Sequence, residues 1–319
     1  MEIAKVVSLS GELVEMWDNT KIQAYACEER GKLGYEEHLI PKEPAEGLAF
    51  GSAFHKAVEV WTKARINDGL SDPDAVAKAE AAFVDSWNIA IPEDRRFMLE
   101  ASGDKRSVQN FKRLFGFYRK QIPLESFDKV LGCEVPFTLL LGITPGGVTI
   151  FLSGIVDRVV RWMDGLYYRD LKTTSGIMNE NYFDQFRLSG QLRGYAWAGE
   201  QLGFGKFDGI GIEAVKVEAP LKTKTRSAQE LVQCEIIPLT PEALEEWRLV
   251  TLRKIDQALQ SREQAQRSMN LGDLCHMYNG CMYARICSAL PHARASIKQD
   301  FYQTRVWSPF DKDGTGGVE

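Results

Sequence analysis

Long apolar runs are missing from this 319-residue chain, and no segment approaches the uninterrupted length that a bilayer span requires. Nothing between Met1 and Gly11 has the basic-then-apolar order of a secretory leader, so a cytoplasmic protein without membrane attachment is expected. Cysteine is sparse, six residues in all, which excludes a secreted disulfide scaffold and points to reduced thiols or metal ligation. An excess of positive charge is also lacking. A net charge of -5 excludes a passive nucleic-acid coat, because any phosphate contact must come from a local patch or through bound cations. No Pro/Gly/Ser-rich linker separates two halves, which predicts one domain over residues 1–308, with a loose tail over 309–319 that carries Asp311, Asp313 and three glycines.

What is there is a helical opening followed by strands. Apolar residues recur at helical spacing from Ala49 to Asn67, from Asp74 to Ile89 and from Ser107 to Gln121. Lys129 to Leu141, Val148 to Trp162 and Leu166 to Thr173 are rich in β-branched and aromatic residues, with Gly146, Gly147, Asp164 and Gly165 as turn residues between them. They predict three consecutive antiparallel strands. A helix over about Asn179 to Leu202 follows, then strands at Phe207 to Val217 and Leu231 to Ile237. A long helix from Pro241 to about Arg267 comes last, with Thr240 as its N-cap. This order predicts an α/β (α+β) fold in which a mixed central sheet is flanked by helices.

The strands carry the chemistry. Alternation along Leu166 to Thr173 puts Asp170 and Lys172 on one face, and Asp157 on the neighbouring strand can stand beside them. Two carboxylates and an ammonium are expensive to gather unless they hold a divalent cation; the alternative for an isolated D-x-K triplet is a surface salt bridge on a hairpin. His55, with Gly51 one turn earlier, is either a packed helix histidine or an imidazole ligand. Gln191 and Tyr195 share a helix face, and either pack on the sheet or reach a phosphate backbone or the lysine.

Taken in order, Gly51 and His55 (G-x-x-x-H), Gly154 and Asp157 (G-x-x-D), Asp170 to Thr173 (D-x-K-T), and Gln191 and Tyr195 (Q-x-x-x-Y) resemble the RecB-like branch of the PD-(D/E)xK nuclease superfamily. The resemblance implies a restriction-endonuclease-like core with a helical N-terminal part. It also implies metal-dependent hydrolysis of phosphodiester bonds in DNA, as an exonuclease acting on duplex ends or single strands. Mg2+ or Mn2+ would be held by His55, Asp157, Asp170 and the Leu171 carbonyl, with Lys172 acting on the attacking water and Gln191 and Tyr195 in support. Glu134 resembles an acidic position of the family's first strand, and a solvated strand residue is the alternative.

Cys275, Cys281 and Cys287 crowd into thirteen residues, with Cys27 far upstream. That distribution resembles the iron-sulphur nucleases of CRISPR adaptation and bacterial recombination, and implies a [4Fe-4S] cluster joining the two ends of the chain, with partners in such a complex. The spacing departs from the family's C-x-x-C, since five residues separate each successive pair; zinc, with His276 as a substitute ligand, is the alternative. Cys133 and Cys234 are expected in the core. Lys222, Lys224 and Arg226 form a basic loop suited to phosphate contact, and Arg187 and Arg193 are further candidates on the helix of Gln191. Two other functions stay open: a non-catalytic DNA-binding or structural subunit that retains the fold, and a redox-sensing iron-sulphur protein.

Overall fold

The computed structural model describes residues 6–7, 13–43, 45–220, 226–264, 266–270, 272, 275–276 and 280–308. Lys222, Lys224 and the 309–319 tail lie outside the described residues. The chain divides into two compact units, each discontinuous in sequence: Met1–Pro44, Thr138–Gly154 and Glu245–Glu319 form the first, and Ala45–Phe137 with Ile155–Leu244 the second.

In chain order the first unit opens with β1 (Val6–Val7), β2 (Leu13–Trp17), α1 (Asn19–Ala24), α2 (Glu28–Gly31) and β3 (Leu39–Pro41). The second unit then supplies α3 (Glu46–Ile66), α4 (Asp72–Ala90), α5 (Glu93–Ala101) and α6 (Val108–Gln121). The chain crosses between units along β4 (Lys129–Ile143) and back along β5 (Thr149–Trp162). β6 (Gly165–Thr174), α7 (Glu180–Asp184), α8 (Gly190–Gln201), β7 (Gly209–Lys216), α9 (Ala228–Leu231) and β8 (Val232–Pro238) follow in the second unit. Helix α10 (Pro241–Arg262) leads back to the first, which ends in α11 (Ala284–Ser288), α12 (Arg294–Phe301) and β9 (Tyr302–Thr304).

The strands form a mixed sheet, as the sequence predicts. In the second unit β5 pairs antiparallel with β6, β6 parallel with β7, and β7 antiparallel with β8. In the first unit β2 runs parallel to the opening residues of β5, through Val14↔Thr149 to Trp17↔Leu152. The β5–β6 hairpin turns through Met163 (φ 48°) and Asp164 (φ 62°), the left-handed pair that a two-residue hairpin loop requires.

The helices of the second unit form because their apolar residues line up every three or four positions. Phe50, Phe54 and Trp61 of α3, Phe83 and Trp87 of α4, and Phe111 and Phe115 of α6 are all buried. The Phe83 and Phe111 rings stack at 3.7 Å between centroids, and Phe50 meets Phe83 edge-on at 5.3 Å. This aromatic layer packs on Val160, Leu171 and Val215 of the sheet. Ser71 and Ser107 cap α4 and α6, accepting from the backbone N–H of Asp74 and Asn110.

Two expectations are corrected here. The single helix expected over Asn179 to Leu202 is two, because Ser189 accepts from Leu192 N–H and restarts the helix at Gly190, a weak helix former. Cys133 and Cys234, expected in the core, are half-buried and exposed respectively; Cys234 stands on β8, which has a partner strand on one side only. Thr240 does cap α10, accepting from Ala243 N–H at 3.2 Å. Among the described residues no helix is long and apolar enough to cross a membrane.

Candidate active site

Every group of the proposed catalytic set belongs to the second unit. The β5–β6 register runs from Trp162↔Gly165 to Arg158↔Arg169; Asp157 and Asp170 are the next residues on the two strands, close enough that the Asp157 charge raises the Asp170 carboxyl. The structure therefore brings two like charges together at the end of a ladder. Alternation leaves Asp170 and Lys172 on one face of β6, with the Lys172 Nζ 2.7 Å from Asp170 Oδ2. From α3, the His55 Nδ1 lies 3.5 Å from Asp157 Oδ2.

Burial grades these groups. The Asp170 side chain is 1 % exposed, that of Asp157 14 %, and those of Lys172 and His55 about a quarter. Desolvation pushes the Asp170 carboxyl above the usual carboxylate range; the Lys172 charge opposes this, the Asp157 charge adds to it, and His55 also lowers it. Tyr168, two residues earlier on the same face, donates from its hydroxyl to Asp170 Oδ1 at 2.9 Å. The Lys172 ammonium is the one group that faces Asp170 Oδ2 among the described residues, and it does so at a poor hydrogen-bond angle.

α8 reaches the same face. Gln191 Oε1 accepts from Lys172 Nζ at 3.4 Å, and the Tyr195 ring meets Tyr168 edge-on at 5.8 Å and Phe137 at 6.1 Å. Gly51 explains the spacing of the helix motif: a Cβ there would stand 2.9 Å from Thr173 Oγ1, so only glycine lets α3 approach β6 this closely. A cavity bordered by His55 and Asp157 is lined also by Glu59, Cys133 and Glu134 and, from the sheet, by Arg158, Arg169 and Glu213 with Tyr118 of α6. Glu134 is held in the left-handed region at φ 53°, an uncommon conformation for a residue with a Cβ.

On the opposite face of the same strands lies a group that sequence reasoning missed. Arg158 and Arg169, the immediate neighbours of Asp157 and Asp170, both pair with Glu213 of β7, at 2.5 and 2.8 Å. The Tyr118 hydroxyl of α6 donates to Glu213 Oε2 at 2.5 Å and accepts from Arg158 Nη2 at 3.0 Å. Burial alone would raise the Glu213 carboxyl, but Arg158 and then Arg169 outweigh it and hold it down at about 2. The alternation that places the aspartates on one face puts these arginines on the other, which was the available signal.

The cysteine set lies in the first unit. Asn270 links two members: its N–H donates to Cys27 Sγ at 3.4 Å, and its carbonyl accepts from Cys275 Sγ at 2.7 Å. Cys281 N–H donates to the Cys275 carbonyl at 2.9 Å. Burial pushes the Cys287 thiol up to about 11, with Glu29, Cys281 and Cys27 adding to the shift. Cys27 is thus linked to Cys275 through Asn270 and lies near enough to Cys287 to influence its thiol, and His276 is exposed. Among the described residues no three His, Cys, Asp or Glu side chains are arranged as a ready metal site, here or around Asp170.

Of the basic candidates within the described residues, Arg226 and Arg187 are engaged with carboxylates and Arg193 with a carbonyl. Arg226 pairs with Glu218 at 3.1 Å and Glu230 at 3.0 Å, and Arg187 with Asp184 at 2.7 Å and Glu235 at 3.3 Å. Arg193 donates to the Arg187 carbonyl at 3.1 Å.

With this geometry in view, the chain can be compared with known proteins. The sequence profile of the PD-(D/E)XK nuclease superfamily matches residues 20–288, most of the chain, and the protein belongs to that superfamily. It is a nuclease by family, and its mixed sheet flanked by helices is the fold expected of one. No curated protein matches it. Among solved structures it is similar to a protein of Eubacterium rectale described as a "Putative exonuclease", at 14% identity and a TM-score of 0.46, covering 82% of this chain and 87% of that one. It is also similar to SSO0001, at 13% identity and a TM-score of 0.33, covering 61% of this chain and 80% of that one.

Proposed function

We propose that this protein is a cytoplasmic, metal-dependent deoxyribonuclease of the RecB-like branch, acting as an exonuclease on DNA ends or single strands. One observation carries the reading: Asp157 and Asp170 are the next residues past the Arg158↔Arg169 pair on adjacent strands, with His55 and Lys172 in reach. The donor set has the chemistry a hard divalent cation takes, two carboxylates and an imidazole, with the His55 Nδ1 3.5 Å from Asp157 Oδ2 and the buried Asp170 Oδ2 faced only by the Lys172 ammonium among the described residues. His55, Asp157, Asp170 and the Leu171 carbonyl would hold Mg2+ or Mn2+. When bound, such an ion supplies a water of lowered pKa and neutralises charge on the phosphate.

The chain's own residues do the rest. Lys172 points its ammonium hydrogens at the attacking water and at the oxygens on which charge develops, and Gln191 keeps it there. Tyr168 fixes Asp170 through Oδ1, leaving Oδ2 for the cation. No sequence-reading element is required for this chemistry, so recognition rests on phosphates and little base preference is expected.

End-labelled single- and double-stranded DNA, incubated with the protein in Mg2+ or Mn2+ and then with chelator, tests the reading directly. Wild type should shorten labelled strands from an end, chelator should stop it, and Asp157→Ala should be inert while melting like wild type. Cutting by Asp157→Ala at the wild-type rate would remove Asp157 from the site. Release of internal fragments from circular DNA would replace the exonuclease assignment with an endonuclease one.

A [4Fe-4S] cluster on Cys27, Cys275, Cys281 and Cys287 belongs to the same proposal, with a recombination, repair, phage or CRISPR-adaptation complex as its setting. It is supported by Asn270, which bonds both Cys27 and Cys275, and by the mutual influence of Cys27, Cys281 and Cys287 on the Cys287 thiol. Protein purified without oxygen should show broad visible absorbance, and Cys281→Ala should lose most of it. Colourless protein with stoichiometric zinc would assign the cysteines to zinc instead.

A further inference from the structure

A buried Arg–Glu–Arg triad is an unusual object to find behind an active site. Arg158, Arg169 and Glu213 have side chains 5 %, 4 % and 1 % exposed, and Arg158 still carries no hydrogen bond on Nε or Nη1. Apolar residues of similar volume in place of such a triad are often neutral or stabilising, so stability alone does not account for it; fixing strand register is the better-attested role. Its placement fits that role. Arg158↔Arg169 is the last pair before the two aspartates, and like charges directly opposite on paired strands repel. Glu213 cancels that repulsion by bridging both guanidiniums, and it is itself the register partner of Leu171. The Phe127 ring lies 5.4 and 5.2 Å from the two guanidinium carbons, and Tyr118 closes the remaining side.

We propose that the Arg158–Glu213–Arg169 triad, closed by Tyr118, is a register lock that sets the separation of Asp157 and Asp170 and so tunes their affinity for the divalent cation. The proposal rests on the metal-dependent reading above. Arg158, Arg169 and Glu213 lie on the sheet face opposite Asp170 and Lys172, and with Tyr118 they line the cavity that His55 and Asp157 also border; their role here is that of positioning residues. They act through the backbone of Asp157, Asp170 and Leu171, the three groups flanked by or paired with triad members.

The test uses the full chain, with Mn2+ itself as the probe. Free Mn2+ is followed by electron paramagnetic resonance without DNA, and cutting is measured against Mn2+ concentration. An apolar replacement, Arg158→Met with Arg169→Leu and Glu213→Met, should melt cooperatively but bind Mn2+ about 10- to 100-fold more weakly. Half-maximal cutting should shift by the same factor, with the rate largely recovered at saturating Mn2+. Tyr118→Phe should move both in the same direction by about 3-fold. A purely structural role would lower the melting temperature and leave the Mn2+ affinity of the folded protein alone. Unchanged Mn2+ affinity in the folded triple variant overturns the lock; if that variant does not melt cooperatively, unchanged affinity in Tyr118→Phe overturns it. Wild type that neither binds Mn2+ nor cuts would instead sink the parent reading, so the two failures are separable.

Discussion

Lys172→Ala is expected to lose about 10^3-fold in cutting rate while binding Mn2+ at least as tightly as wild type. The two halves of that result have one origin. The ammonium stands 2.7 Å from Asp170 Oδ2, where it competes with a cation for the carboxylate, and its removal frees that oxygen. The same removal takes away the positive charge that faces the attacked phosphate. Lys172→Arg should restore little, because a planar guanidinium cannot take the place of a compact ammonium between Asp170 and Gln191. Single-turnover cutting and the Mn2+ titration together check this. A variant that cuts within a few-fold of wild type would show that Lys172 has no part in the reaction.

The second large effect is on stability. Glu213→Gln is expected to destabilise the folded chain by about 3–5 kcal/mol at neutral pH, because it strips the counter-charge from two buried guanidiniums. The pH dependence has a definite sign. The Glu213 carboxyl is held at about 2 in the folded chain against an ordinary value of 4.5, so the unfolded chain binds the extra proton. Its contribution is fully present above about pH 4.5 and is lost as pH falls toward 2. Glu213→Gln should therefore show a shallower decline over that window than wild type. Urea melts at several pH values measure both quantities; parallel curves for the two proteins would mean that Glu213 is not the group responsible.

Much of the site was legible because strand geometry is simple arithmetic. A period of two put Asp170 and Lys172 on one face, but the register was not legible: the turn falls at Met163 and Asp164, one residue earlier than the turn residues Asp164 and Gly165 suggest, and this shift is what brings Asp157 level with Asp170 rather than Lys172. Gly51 and His55 were legible as one helix turn, although what Gly51 avoids, Thr173 Oγ1, is a tertiary contact invisible in spacing. Arg158 and Arg169 escaped notice because a charged residue beside a charged residue reads as solvated surface. Only Glu213, more than forty residues further on, turns them into a buried group. β2 escaped for a different reason: five residues at the start of a parallel pairing leave no local turn to announce them. The break between α7 and α8 turns on Ser189, a cap whose competition with an uninterrupted helix is a matter of a kcal/mol or so.

The division of the chain into units also has a consequence for how it is made. The second unit, which holds His55, Asp157, Asp170 and Lys172, is complete once Leu244 has left the ribosome, whereas the first needs residues from 245 onward. Cys27 is synthesised 260 residues ahead of Cys287, a wait of roughly 13–50 s at ordinary elongation rates. If the proposed cluster forms, the Cys27 thiol has to stay reduced and unclaimed over that interval. No single proteolytic cut between the units would release either one whole, because the chain passes between them at residues 44–45, 137–138, 154–155 and 244–245.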